Sequence, residues 1–143
     1  MKVLIAAIIA SILGMVVFYV FFDLVGSQMF LKNYYLAKVH FWRHPNFLSR
    51  DTGRLAKYFL VFFFTNLIWS YIFVQRQRAF EGSGIEKGIK FFLLLWLLTI
   101  PIHLWYWVLI PYSKKILLYN IFVYYPVLSL ATGAAIGKVC SEE

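Results

Sequence analysis

The sequence predicts an all-α polytopic membrane protein, a bundle of four transmembrane helices with an interfacial segment after the first. Four stretches, Val3–Phe22, Tyr58–Val74, Phe91–Ile110 and Ile116–Gly137, are almost uncharged and together occupy more than half of the 143 residues. Each reaches or approaches the roughly 20 apolar residues that a helix needs to cross a bilayer. Charge is scarce as well: 14% of residues are charged and 62% apolar, with a mean hydropathy of +0.75. A soluble domain of this size carries about 25% charged residues. What charge there is collects in Lys32–Lys57, Arg76–Lys90, Lys114–Lys115 and the last six residues. So little chain lies outside the apolar stretches that residues 1–143 read as one domain, with spans at about 3–25, 56–75, 89–111 and 116–137.

Span 1 begins with small residues at four-residue spacing, Ala6, Ala10 and Gly14, with Ala7 and Ser11 beside them. Such a strip lets a second helix approach closely, which matters in lipid because van der Waals contact replaces the hydrophobic drive. Lys2 ahead of an apolar core resembles a signal peptide. The long apolar run and the lack of a small-residue cleavage site after it predict an uncleaved span instead. Beyond Asp23 the chain stays apolar to Leu31, so the first helix is expected to tilt or overrun, with Gly26 a place to bend.

The connection from Lys32 to Lys57 interleaves aromatic and basic side chains. Lys38, His40, Trp42, Arg43 and His44 suit a headgroup-level segment over about residues 32–47, ended by Pro45. His40 and His44 stand four apart, but Arg43 between them disfavours a bound cation, so no metal site is expected. Span 2 places Asn66 and Ser70 on one face at i, i+4, where they should point at a neighbouring helix rather than at hydrocarbon. Span 3 carries Pro101, which removes a backbone hydrogen bond and should kink the helix, with His103 just past it and Pro111 at its end. Span 4 divides into a bulky half, with Tyr119, Asn120, Tyr124 and Tyr125, and a small half containing the packing motif Gly133-x-x-x-Gly137. These halves predict a close helix crossing at one membrane face and an aromatic-lined splay at the other.

The candidate polar patch is therefore Asp23, Asn66, Ser70 and His103; the candidate packing residues are Ala6, Ala10, Gly14, Gly133 and Gly137. No cofactor is expected. His103 is the only histidine in a span, so a bis-histidine haem, or a shared quinone site, would need a second subunit. The net charge of +8 fits anionic headgroups beside apolar spans, and no zinc-finger spacing or basic arm points to nucleic acid. Cys140 alone excludes an internal disulfide and reads as a plain terminal thiol. With an even number of spans both termini share a side with the second connection, whose dense Arg and Lys lean that side towards the cytoplasm.

The stretch Gly82-Ser83-Gly84-Ile85-Glu86-Lys87-Gly88-Ile89-Lys90-Phe91, followed by Leu93–Pro101, resembles the start of the third span in a group of small uncharacterised bacterial four-span integral membrane proteins. The Gly133–Gly137 ending of span 4 resembles them too. The resemblance implies a four-span fold in a bacterial cytoplasmic membrane and no activity. Those relatives place a further glycine where this chain has Phe92, which puts close packing there in question.

These residues carry no catalytic signature. The leading expectation is a structural or accessory subunit acting through helix packing in a homo- or hetero-oligomeric complex. The alternative is a small-molecule, lipid or ion carrier or channel built on the polar patch between helices.

Overall fold

The computed structural model describes residues 1–21, 52–109 and 114–141, and these are helical except at short turns and ends. Helix α1 is Lys2–Phe18 and runs into a π-helical turn over residues 19–21. Helix α2, Thr52–Arg76, is followed by a 3₁₀ turn, Gln77–Ala79. Helix α3 is Gly84–Leu109. The last crossing is one continuous rod made of α4 (Lys114–Tyr119), a π-helical segment (Asn120–Tyr124) and α5 (Tyr125–Cys140). Four helical stretches, Lys2–Phe21, Ala56–Ala79, Gly84–Trp105 and Leu117–Cys140, are long and apolar enough to cross a membrane, and there is no strand among the described residues. The fold is the four-helix, multi-pass bundle. The interfacial segment around 32–47, with Lys38, His40, Trp42, Arg43 and His44, lies outside the described residues, as do Asp23, the run beyond it and Pro111.

Helix α3 starts at Gly84, ahead of its apolar run, because a capping box sets it there. The Glu86 carboxylate accepts from the Ser83 N–H at 2.7 Å and the Ser83 hydroxyl accepts from the Glu86 N–H at 3.4 Å. Gly82, at φ +114°, makes the turn into it, a conformation that side chains rarely allow. Lys90 reaches back to donate to the Glu81 carbonyl at 2.7 Å.

The helices sort by size rather than polarity. On α1 the buried face is Ala6, Ala7, Ala10, Ser11, Gly14 and Phe18, and the exposed face is Leu4, Ile5, Ile8, Ile9, Ile12, Leu13 and Val16. The branched residues suit lipid; the small ones admit another backbone. Helix α5 sits centrally, packed along α3 on one side and α1 on the other, and α1 packs in turn along α2. The order across the bundle is thus α2, α1, α5, α3.

Helices α2 and α3, consecutive in sequence, do not pack along their lengths. They meet near their connecting turn through aromatic rings: Phe91 of α3 lies 5.6 Å from Phe73, 6.4 Å from Trp69 and 6.0 Å from Phe80, centroid to centroid. This cluster closes over Ala6, Ala10, Ile136 and Cys140, so the Cys140 thiol is a core group rather than a loose terminal one. A second cluster gathers Phe18, Tyr119 and Tyr124, with Phe21, Phe62, Tyr125 and Leu128 against it.

The closest helix contact is α3 on α5, and glycine makes it possible on both sides. A Cβ on Gly88 would strike the Gly133 carbonyl oxygen and come within 2.8 Å of the Gly137 nitrogen. One on Gly137 would strike the Gly84 carbonyl, and one on Gly133 would lie 2.7 Å from the Gly88 carbonyl. Gly84-x-x-x-Gly88 and Gly133-x-x-x-Gly137 therefore interlock backbone to backbone. Phe92 is buried against this contact because its neighbour is Gly133, whose missing side chain leaves room for the ring's base. Gly14 serves α2 in the same way: a Cβ there would be 3.0 Å from the Phe62 ring.

Gly88→Val or Gly133→Val should lower the stability of the single chain by at least about 1–3 kcal/mol, the cost of overpacking against atoms that cannot retreat. Leu98→Val, on an exposed face, should change it little. Unfolding of the purified protein in mixed micelles distinguishes the two, and the loss should be independent of protein concentration.

Candidate functional site

In hydrocarbon a polar side chain must find a partner on its own or a neighbouring helix. Ser11 donates to the Ala7 carbonyl one turn back, at 2.5 Å, leaving its oxygen free to accept. The Asn66 carboxamide on α2 donates to that oxygen at 3.3 Å. One turn further along α2 lies Ser70, fully buried, its hydroxyl without a hydrogen-bond partner. Asn66 and Ser70 thus share the face of α2 turned into the bundle, and with Ser11 they form a polar strip at the helix interface. All three are nearly or wholly inaccessible to solvent.

His103 lies elsewhere. Its ring stacks on Tyr125 of α5, centroids 4.4 Å apart at an interplanar angle of 34°. It belongs to the α3–α5 contact, not to the α1–α2 strip. Of the four patch residues, the structure brings together Asn66 and Ser70, sets His103 apart, and Asp23 is outside the described residues. Among the described residues no group of three or more His, Cys, Asp or Glu side chains could hold a metal ion.

Pro101 sits inside α3 and has no N–H for the Leu97 carbonyl. Thr99, two residues before it, donates to the Trp96 carbonyl at 2.7 Å. The same helix supplies a longer-range hydrogen bond whose cause lies on α5. In the π segment the Tyr125 N–H bonds the Asn120 carbonyl, five residues back. The next bond in that register would join residue 126 to Ile121, but residue 126 is proline and has no N–H to give. The Ile121 carbonyl is stranded, and the Trp96 indole N–H of α3 donates to it at 2.8 Å. The π turn that ends α1 is tied in similarly, by the Tyr119 hydroxyl donating to the Phe21 carbonyl at 2.9 Å. The Asn120 carboxamide oxygen, within the π segment, is buried and has no partner.

Ser11 was visible only as a companion of the alanine strip; its fourfold spacing with Ala7 was the available sign of back-bonding. Trp96 had no such sign, since its acceptor is 25 residues away. The Gly84–Gly88 pair reads in sequence as part of a turn, although its spacing matches that of Gly133 and Gly137.

No family model, curated protein or solved structure matches the chain, so the resemblance of the Gly82–Pro101 stretch to bacterial four-span proteins carries no further than the apolar four-helix bundle itself.

Trp96→Phe should cost about 1–3 kcal/mol, because it leaves a buried carbonyl without a donor. Ser70→Ala removes an unpartnered hydroxyl and should be neutral or slightly stabilising. Opposite signs in one micellar unfolding series are the expected result.

Proposed function

We propose that this protein is a carrier of a small amphiphile or lipid within the membrane, working through the polar strip of Ser11, Asn66 and Ser70. The buried Ser70 hydroxyl carries the reading. A hydroxyl held in a membrane core without a partner costs stability, and a bound polar headgroup would supply what is missing.

The reading is also supported against that of a packing subunit. The faces such a subunit would offer are already occupied within the chain: Gly133 and Gly137 meet Gly88 and Gly84, and Ala6 and Ala10 lie in the core. The outward surface is bulky and apolar, with Val61, Phe64, Ile68, Leu98, Trp105 and Val108 exposed, as lipid contact requires. Lys2, Arg76, Arg78, Lys90 and Lys138 are exposed around the end where α1 and α3 begin and α2 and α5 finish. Their charge favours a cytoplasmic placement of that end, anionic headgroups around it, and both termini on that side. A bacterial cytoplasmic membrane is the location that the resemblance suggests.

The test is co-purification from native membranes in mild detergent, with native mass measurement and lipid analysis. The wild type is expected as a single chain retaining about one amphiphile. The double variant Asn66→Leu, Ser70→Ala should hold it about tenfold more weakly, as the loss of two membrane-buried hydrogen bonds implies. Stable association with another polypeptide and no bound amphiphile would overturn the carrier and restore the accessory subunit.

A further inference from the structure

We propose that the π segment Asn120–Tyr124 is a register switch with two positions, in which the Ile121 carbonyl passes between the Trp96 indole of α3 and the Tyr125 N–H of its own helix. This holds whether the protein is a carrier or a subunit of a larger complex.

A π turn is one extra residue in a helix, uncommon and seen mostly as single turns. Here the extra residue leaves two backbone registers open. The Tyr125 N–H now bonds the Asn120 carbonyl, five residues back, and in α geometry it would bond Ile121, four back. In π geometry the Ile121 carbonyl would take the N–H of residue 126, which is proline and has none. Its present donor is the Trp96 Nε1–H at 2.8 Å. A carbonyl turned along its own helix axis to Tyr125 no longer faces α3, so one donor displaces the other.

Taking up the α register turns α4 about its axis by one residue, about 100°. Leu117 and Tyr119, buried in this structure, then leave the bundle. The Tyr119 hydroxyl gives up the Phe21 carbonyl, to which it donates at 2.9 Å. Two side-chain hydrogen bonds, one to the end of α1 and one from α3, therefore hold the π form, and both are lost together. Against them stands Asn120, whose buried carboxamide oxygen has no partner in the π form and turns away with α4. A buried acceptor without a donor costs about as much as one or two hydrogen bonds contribute, which is the balance a switch requires.

The rest of the bundle confines the motion to one end. The glycine contact holds α3 to α5 through Gly84, Gly88, Gly133 and Gly137. His103 stays stacked on Tyr125, which lies on the α5 side of the segment. What moves is α4 against α1 and α3, while the end that carries the termini stays closed.

The full-length protein, with fluorotryptophan at its five tryptophan positions, is placed in lipid nanodiscs for fluorine NMR with saturation transfer. Trp96→Phe assigns the Trp96 signal, which is expected to exchange with a second one whose indole has lost its acceptor. Tyr119→Phe removes one tie of the π form and should raise the second population about fivefold, the worth of one net hydrogen bond. Deleting the exposed Val123 takes out the extra residue and sets Pro126 four beyond Ile121, where it has no N–H to offer. That variant should show one Trp96 signal, the bonded one. Trp69, beside Phe91 at the other end, should respond to neither change. A single Trp96 signal in wild type and Tyr119→Phe alike overturns the switch, as does exchange that survives the deletion. Trp69 moving together with Trp96 marks a general loosening and overturns it too. The wild-type and Tyr119→Phe measurements stand even if the deletion variant fails to fold.

Discussion

The contacts that centre on α5 depend on its distance from α3. Lipid chains are as apolar as leucine, so two helices in a bilayer gain little by hiding leucines from solvent; they gain by fitting together. Four glycines let these two backbones touch, with Gly88 lodged against Gly133 and Gly137 against Gly84. At a separation set by ordinary side chains, the Trp96 indole would not reach the Ile121 carbonyl, and Phe92 would have no vacancy above Gly133 in which to sit. The central position of α5 follows as well: with one side held to α3, its other side receives the alanine face of α1.

A second constraint runs through the molecule, that of unpaired backbone in hydrocarbon. Prolines 101 and 126 each withhold a donor inside a span, and the π turns shift the register of their neighbours. The structure answers with side chains from other helices, Trp96 for the Ile121 carbonyl and Tyr119 for the Phe21 carbonyl. Among the described residues, the buried side-chain oxygens of Ser70 and Asn120 have no partner.

The position of the polar residues shows how far local pattern reaches. Asn66 and Ser70 at i, i+4 are bound to share a face, because the helix repeats every 3.6 residues. Their neighbour is not bound by that arithmetic. It is Ser11 of the first helix, 55 residues away, and not His103, which was equally available in sequence but stacks on Tyr125. The difference arises because α2 and α3, joined by a short turn, diverge while α1 and α5 fill the space between them. Gly84 and Gly88 illustrate the same limit. Beside Gly82 and Ser83 they look like turn residues, and only the presence of Gly133 and Gly137 opposite gives them a packing role.

The sequence by itself determined the four apolar crossings, the scarcity of charge within them and the small faces of α1 and α5. These are local properties: burial of backbone hydrogen bonds in lipid demands helices, and helical periodicity assigns residues to faces. The tertiary structure alone decided which small face meets which, that α5 rather than α2 is the partner of α3, and that Trp96 rescues a carbonyl stranded by Pro126. Those outcomes depend on the fit of two surfaces and on donors that arrive from distant chain. Size complementarity between helices has no periodic signature within either one, so it is settled when the helices meet.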